Sequence, residues 1–210
     1  MLILSHRGNW DSSKSKNSKQ AIFASLDQGY GVETDVRDWS GKLVISHDPI
    51  MEPKLELREI FEYYVKLNSA ATLALNVKSD GLSDMVKKCL ARYQISSYFV
   101  FDMSVPDALS YLKNRLNVFT RQSEYENSPS YYDLAKGVWL DEFHRHWITG
   151  EIIEGHIRNG KKVAIVSPEL HGRPHEAEWE DYKEVFHRIG TDNLMLCTDF
   201  PDLARQYFNA

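Results

Sequence analysis

Residues 31–49, GVETDVRDWSGKLVISHDP, gather groups that could handle a divalent cation and a proton at one place. Glu33 and Asp35 stand two residues apart among Val32, Thr34 and Val36. A strand would therefore show both carboxylates on one face and the β-branched side chains on the other. Two such carboxylates can hold a hard cation through oxygen. Ser40-Gly41 supplies a turn, and residues 43–46 form a second short strand that would return His47 and Asp48 to the acids, where an imidazole can move a proton. The plain alternative is a half-exposed hairpin whose acids are solvated.

Other chemistry-bearing residues follow short apolar runs: His6-Arg7, Asn76, Lys78, Asp102, Arg121, Asp141-Glu142, Glu169 and Asp199. His144, His146, His171 and His175 lie in the stretches after such runs, whereas His156 and His187 fall on helical patterns. Arg7 and Lys78 suit a phosphate, Arg as a two-pronged fork and Lys as a point charge; the alternative for each is an ion pair with Glu33 or Asp35. His144-Arg145-His146 and the stretch ELHGRPH with His171 and Arg173 read as a rim that selects a second anionic or hydroxylated group, or as a pair of solvated loops. Trp10, Trp39 and Trp147 could stack on a sugar or head group, or simply pack.

What positions these groups is an alternation of strands and helices. Apolar strand runs occupy residues 2–4, 31–36, 72–77, 98–101, 117–120, 137–140, 162–166 and 194–197. Between them come helical stripes. Ala21, Ile22, Ser25 and Leu26 end at Gly29; Leu57, Ile60, Phe61, Tyr64 and Val65 recur at three and four residues, as do Leu82, Met85, Val86, Cys89 and Leu90. Ser104 and Pro106 look like a helix start, Gly160 closes a stripe of isoleucines, and Trp179, Tyr182, Val185 and Phe186 precede a last helix over residues 201–208. Eight such units predict an α/β fold, a single short (β/α)8 TIM barrel over residues 1–210 with a β-hairpin insertion after the second strand; an open doubly wound sheet is the alternative. In a barrel the chemistry sits at the carboxyl ends of the strands, where the polar residues above would gather.

A hydrophobic content of 42%, a charged content of 26% and a formal net charge of -5 point to a soluble globular protein without the basic footprint of a nucleic-acid binder. No apolar run approaches the ~20 residues of a membrane span, and MLILSHRG lacks the basic start of a signal peptide. With only Cys89 and Cys197, a reducing compartment is the simpler expectation, and a cytoplasmic location with it.

Three ordered blocks, Ser5-His6-Arg7-Gly8, Glu33-Thr34-Asp35-Val36 and Ser46-His47-Asp48-Pro49, resemble the glycerophosphodiester phosphodiesterase family within the phosphatidylinositol-phospholipase-C-like phosphodiesterases. The similarity is strongest over residues 1–82 and returns at Thr198-Asp199-Phe200-Pro201. The resemblance implies a closed barrel, hydrolysis of a glycerophosphodiester or similar small diester, and a divalent cation, Mg²⁺ or Ca²⁺, held by Glu33 and Asp35. It implies acid–base roles for His6 and His47. Two departures stand out. The family's Glu-Asn-Thr is here Lys16-Asn17-Ser18, and its third metal-binding Glu is Asn76, whose carbonyl can ligate but brings no charge. Two other classes of protein remain open: a transition-metal hydrolase using the histidine-rich segments, and a non-catalytic protein that binds a phosphate ligand on the same scaffold.

Overall fold

The structure, a computed structural model, describes residues 1–52 and 54–209. Eight parallel strands alternate with helices in a (β/α)8 barrel, and one further strand forms the expected hairpin after the second. The chain groups into two compact units, residues 5–118 and residues 1–4 with 119–210. β1 (Leu2–His6) carries His6 at its end.

Within residues 5–118, β2 (Gly31–Trp39), β4 (Leu73–Val77) and β5 (Tyr98–Phe101) are parallel neighbours, and β3 (Lys42–Ile45) pairs antiparallel with the outer half of β2. The β2–β4 register sets Asp35 opposite Asn76. Residues 31–36 and all of β4 are buried, as strands of a parallel sheet are. The acid–aliphatic alternation of β2 is therefore not the in–out pattern of a half-solvated hairpin: Glu33 and Asp35 are 2% and 0% exposed.

Local signals set the helices. α1 (Lys19–Asp27) opens on Ser18, whose Oγ accepts the Ala21 N–H at 3.1 Å. α2 (Leu57–Lys66) starts with a reciprocal Glu56–Glu59 capping box and buries Leu57, Ile60, Phe61 and Tyr64, but leaves Val65 of the expected stripe exposed. α3 (Ser83–Arg92) and α4 (Val105–Lys113) follow, the latter capped by Ser104.

Within residues 119–210, β6 (Phe119–Gln122), β7 (Gly137–Leu140), β8 (Lys162–Val166) and β9 (Leu194–Thr198) pair in that order, all parallel. β6 begins two residues later than the sequence pattern suggests; just before it Val118 makes a single parallel bridge with Val100, and the Asn117 carbonyl accepts the Val100 N–H at 2.8 Å. α5 (Gly150–Arg158), α6 (Glu176–Ile189) and α7 (Pro201–Phe208) complete the alternation, with Trp179 and Tyr182 of α6 almost wholly buried. Among the described residues no helix is long and apolar enough to cross a membrane.

Candidate active site and a second carboxylate cluster

The first cluster lies in residues 5–118 and begins with a turn that only certain residues can make. After β1, Arg7 (φ 57) and Gly8 (φ 94) are left-handed. A Cβ on Gly8 would stand 2.6 Å from the Ala21 carbonyl carbon, so glycine alone fits against the start of α1. Arg7 has no such freedom, and its conformation costs about 1 kcal/mol. Two bonds from its N–H hold it there, to the Glu33 carbonyl at 2.9 Å and to Glu33 Oε2 at 3.3 Å. Asn17 (φ 59) donates its N–H to the Arg7 carbonyl at 2.8 Å. Its side-chain amide donates to Asp35 Oδ2 and accepts from Thr34 Oγ1, both at 2.8 Å. Asp102 (φ 70) meets Lys78 Nζ at 2.8 Å. Strained non-glycine residues thus converge on one group of side chains, a pattern typical of functional sites.

That group is charged and nearly dry. Arg7 Nε lies 2.9 Å from Asp35 Oδ2, yet has no aligned hydrogen-bond acceptor, so the pair is held by charge rather than by direction. Lys78 Nζ is 3.7 Å from Asp35 Oδ1 as well as bonded to Asp102, and His6 Nε2 is 4.0 Å from Glu33 Oε2. Burial, and after it the charge of Asp35, pushes the Glu33 carboxyl above the usual carboxylate range, against the pull of His6, Arg7 and Lys78. Two buried oxygens accept no hydrogen bond, Asp35 Oδ1 and Asn76 Oδ1, and they belong to register-paired residues of β2 and β4. Buried acceptors without donors suit a hard cation, so the oxygens of Asp35 and Asn76, with the Glu33 carboxylate two residues along β2, are of the kind that Mg²⁺ or Ca²⁺ takes.

His47 follows the β3 hairpin, its side chain 48% exposed and its Nδ1 2.8 Å from Asp48 Oδ1. Arg37 Nε and Nη2 donate to the His47 carbonyl at 3.1 and 3.0 Å, which ties the hairpin end to β2. The bond from His47, then the fields of His47, Arg7 and Arg37, hold the Asp48 carboxyl below its ordinary value.

A second cluster occupies residues 119–210. His171 Nε2 is 2.7 Å from Asp141 Oδ1. Arg173 Nη1 donates to the Glu142 carbonyl at 3.0 Å and stands 3.7 Å from Glu142 Oε1, while its Nη2 bonds Glu178 Oε1. The fully buried Glu142 carboxylate accepts from the Trp147 and Ile148 N–H groups at 2.9 and 3.3 Å and from the Tyr182 hydroxyl at 2.8 Å. Burial alone would raise Glu142, but its bonds to Glu178, Trp147, Tyr182 and Ile148 bring it below the usual range. Glu178, pushed by burial and then by Glu142, rises to about 8. Glu142, His146 and Glu178 place ligand atoms within 4.8 Å of one another, a group that could hold a metal ion.

No protein-family model and no curated protein matches the chain. Solved structures do. A glycerophosphodiester phosphodiesterase from Agrobacterium tumefaciens str. C58 is similar with a TM-score of 0.68 at 16% identity, over 98% of this chain and 99% of that one. A glycerophosphoryl diester phosphodiesterase from Parabacteroides distasonis ATCC 8503 gives 0.67 at 16% identity, over 99% of this chain and 86% of that one. An Oleispira antarctica phosphodiesterase, solved with the product sn-glycerol-3-phosphate, gives 0.66 at 14% identity, over 100% and 97%. The fold is the one these phosphodiesterases share.

On this fold the predicted residues divide into three groups. His6, Arg7, Glu33, Asp35, Asn76 and Lys78 come together; His47 ends the hairpin beside Asp48; His171 and Arg173 are engaged by Asp141, Glu142 and Glu178. Sequence reasoning missed two participants. Asn17 had a signal, the Lys16-Asn17-Ser18 block, where the reading dwelt on the acid that Lys16 replaces and passed over the Asn that bridges Thr34 and Asp35. Glu178, within a run of acids before Trp179, gave none.

Proposed function

We propose that the chain hydrolyses a small phosphodiester, a glycerophosphodiester or close relative, with Mg²⁺ or Ca²⁺ held by Glu33, Asp35 and Asn76. The observation that carries this reading is the pair of buried, donorless oxygens on Asp35 and Asn76, flanked by Arg7 and Lys78. When bound, such an ion polarises the phosphoryl oxygens. Arg7 and Lys78 exchange Asp35 and Asp102 for phosphate oxygens, so substrate replaces the carboxylates as their counter-charge. His6 and His47 divide the proton work, one taking the proton of the attacking hydroxyl and the other supplying the leaving alkoxide. With Nδ1 on Asp48, His47 keeps Nε2 for that transfer. His171 and Arg173 serve as substrate-side groups in this reading only by exchanging the carboxylates they now hold. The proposed setting is the cytoplasm, with a small diester as partner.

A phosphorus NMR screen of glycerophosphodiesters with Mg²⁺, Ca²⁺ and Mn²⁺ tests the proposal. The expected result is ion-dependent conversion of a diester resonance to a monoester one; no conversion with any ion overturns it. A second reading, binding without turnover, is favoured by the uncharged Asn76 and predicts shifted or broadened diester signals with no product.

A further inference from the structure

The Glu142–His146–Glu178 group touches the proposed hydrolysis only through Arg173, and its geometry is that of a site. Glu142 and His146 lie on the segment after β7, and Glu178 lies in the first turn of α6. His146 Nδ1 stands 3.3 Å from Glu142 Oε1 and 3.6 Å from Glu178 Oε2. The first is a long hydrogen bond and the second lies beyond hydrogen-bond reach. They match the edge of a tetrahedron around zinc, about 3.4 Å when the ligand distances are near 2.1 Å.

The atoms that would not ligate are already committed. His146 Nε2 is 3.2 Å from Asp181 Oδ2, Glu142 Oε2 accepts from the Trp147 and Ile148 N–H groups, and Glu178 Oε1 holds Arg173. Partners of this kind fix the orientation of metal-binding imidazoles and carboxylates. A further observation points to an absent cation. Glu178 is only 8% exposed, and its Oε2 accepts no hydrogen bond. Asp181 can only accept, so a His146 that ligates through Nδ1 has an acceptor at hand for its Nε2–H. Three donors then converge, with the Arg173 guanidinium at their edge, 3.7 Å from Glu142 Oε1, and the Tyr182 hydroxyl on that same oxygen.

We propose that Glu142, His146 and Glu178 bind one divalent transition-metal ion of the zinc class, fastening the segment after β7 to α6. Mixed imidazole and carboxylate donors suit zinc better than Mg²⁺. Arg173 offsets one carboxylate charge and leaves the site negative. The His146 side chain is 30% exposed, which opens the fourth position to water.

The test is calorimetric zinc titration of the metal-stripped full chain and of its Asp35→Asn, His146→Ala and Glu178→Gln variants, with circular dichroism to check folding. The expected result is one zinc per chain in the parent and in Asp35→Asn, with affinity at least about 100-fold lower in His146→Ala and Glu178→Gln. Zinc at a hundredfold excess over Kd should raise the parent Tm by roughly 5–10 °C, and not that of His146→Ala. If Glu178→Gln does not fold, the partly exposed His146 position decides alone. Equal affinity in parent and His146→Ala, loss of zinc in Asp35→Asn but not in His146→Ala, or no binding at micromolar zinc would each overturn the proposal.

Discussion

Two pairs of buried acids, Glu33 with Asp35 and Glu142 with Glu178, face the same cost of holding negative charge away from water, and their surroundings meet it in different ways. Glu142 is met by a hydroxyl and two backbone N–H groups, and a guanidinium spans Glu142 and Glu178. Asp35 is met by an amide and two mobile-headed cations, one of them unaligned, and keeps an oxygen with no donor. Backbone donors cannot leave, whereas Arg and Lys heads can turn to a phosphate. A buried carboxylate held mainly by long side chains is thus set up for exchange, and one held by main chain for permanence.

The sharpest way to break this contrast is at Asp35. Asp35→Asn should leave no measurable ion-dependent diester turnover, because it removes one of the two carboxylates proposed for the ion; retained turnover places the chemistry elsewhere. His6→Ala and His47→Ala should each lower kcat by on the order of 10²- to 10⁴-fold in the same assay, with the fold intact by circular dichroism. In the second cluster, Arg173→Ala should cost about 3 kcal/mol in urea unfolding, since it strands buried carboxylate charge. A loss below about 1 kcal/mol would show that this cluster does not depend on its guanidinium.

Smaller effects sharpen the comparison. Asn76→Glu should tighten Mg²⁺ or Ca²⁺ binding by about tenfold in titrations without phosphate, because it adds a third charge beside Asp35. Equal affinity in parent and variant would remove Asn76 from the ion's shell. Glu124 bears on the segment that carries His146: it accepts from the N–H groups of Phe143, His144 and Arg145 at 3.0, 2.9 and 3.3 Å. Burial alone would raise it, but these bonds bring it down to about 2 from 4.5. Its contribution is present above pH 4.5 and is lost as pH falls toward 2, and solvent screening limits it to no more than about 1 kcal/mol. A carboxyl NMR titration should place the Glu124 midpoint near 2; a midpoint at the ordinary Glu value would dissolve the cap.

Much of this molecule is legible one-dimensionally because its decisive signals are local. Ser18 and Ser104 mark helix starts, Gly29 and Gly160 stops, and the apolar runs mark strands. The ion pairs of Arg7 and Lys78 follow from charge type alone. What was hidden depends on three-dimensional closure. Val65 sits on an apolar stripe but faces solvent, since neighbours decide which part of a stripe is covered. Asn17 reaches Asp35 only through a left-handed backbone that periodicity does not encode. Glu178 meets Glu142 and His146 across more than thirty residues, a separation that no spacing rule spans.

The pairing of Asp35 with Asn76 has a consequence for assembly. If β4 slipped by one residue on β2, Leu75 or Val77 would stand opposite Asp35 in place of the amide, and every β4 side chain would change face. A carboxylate sealed against hydrocarbon costs several kcal/mol, so the wrong pairing carries its own penalty while the chain is still choosing. The polar residues proposed for hydrolysis would then serve earlier as a proofreading mark, rejecting misaligned strands before any substrate arrives.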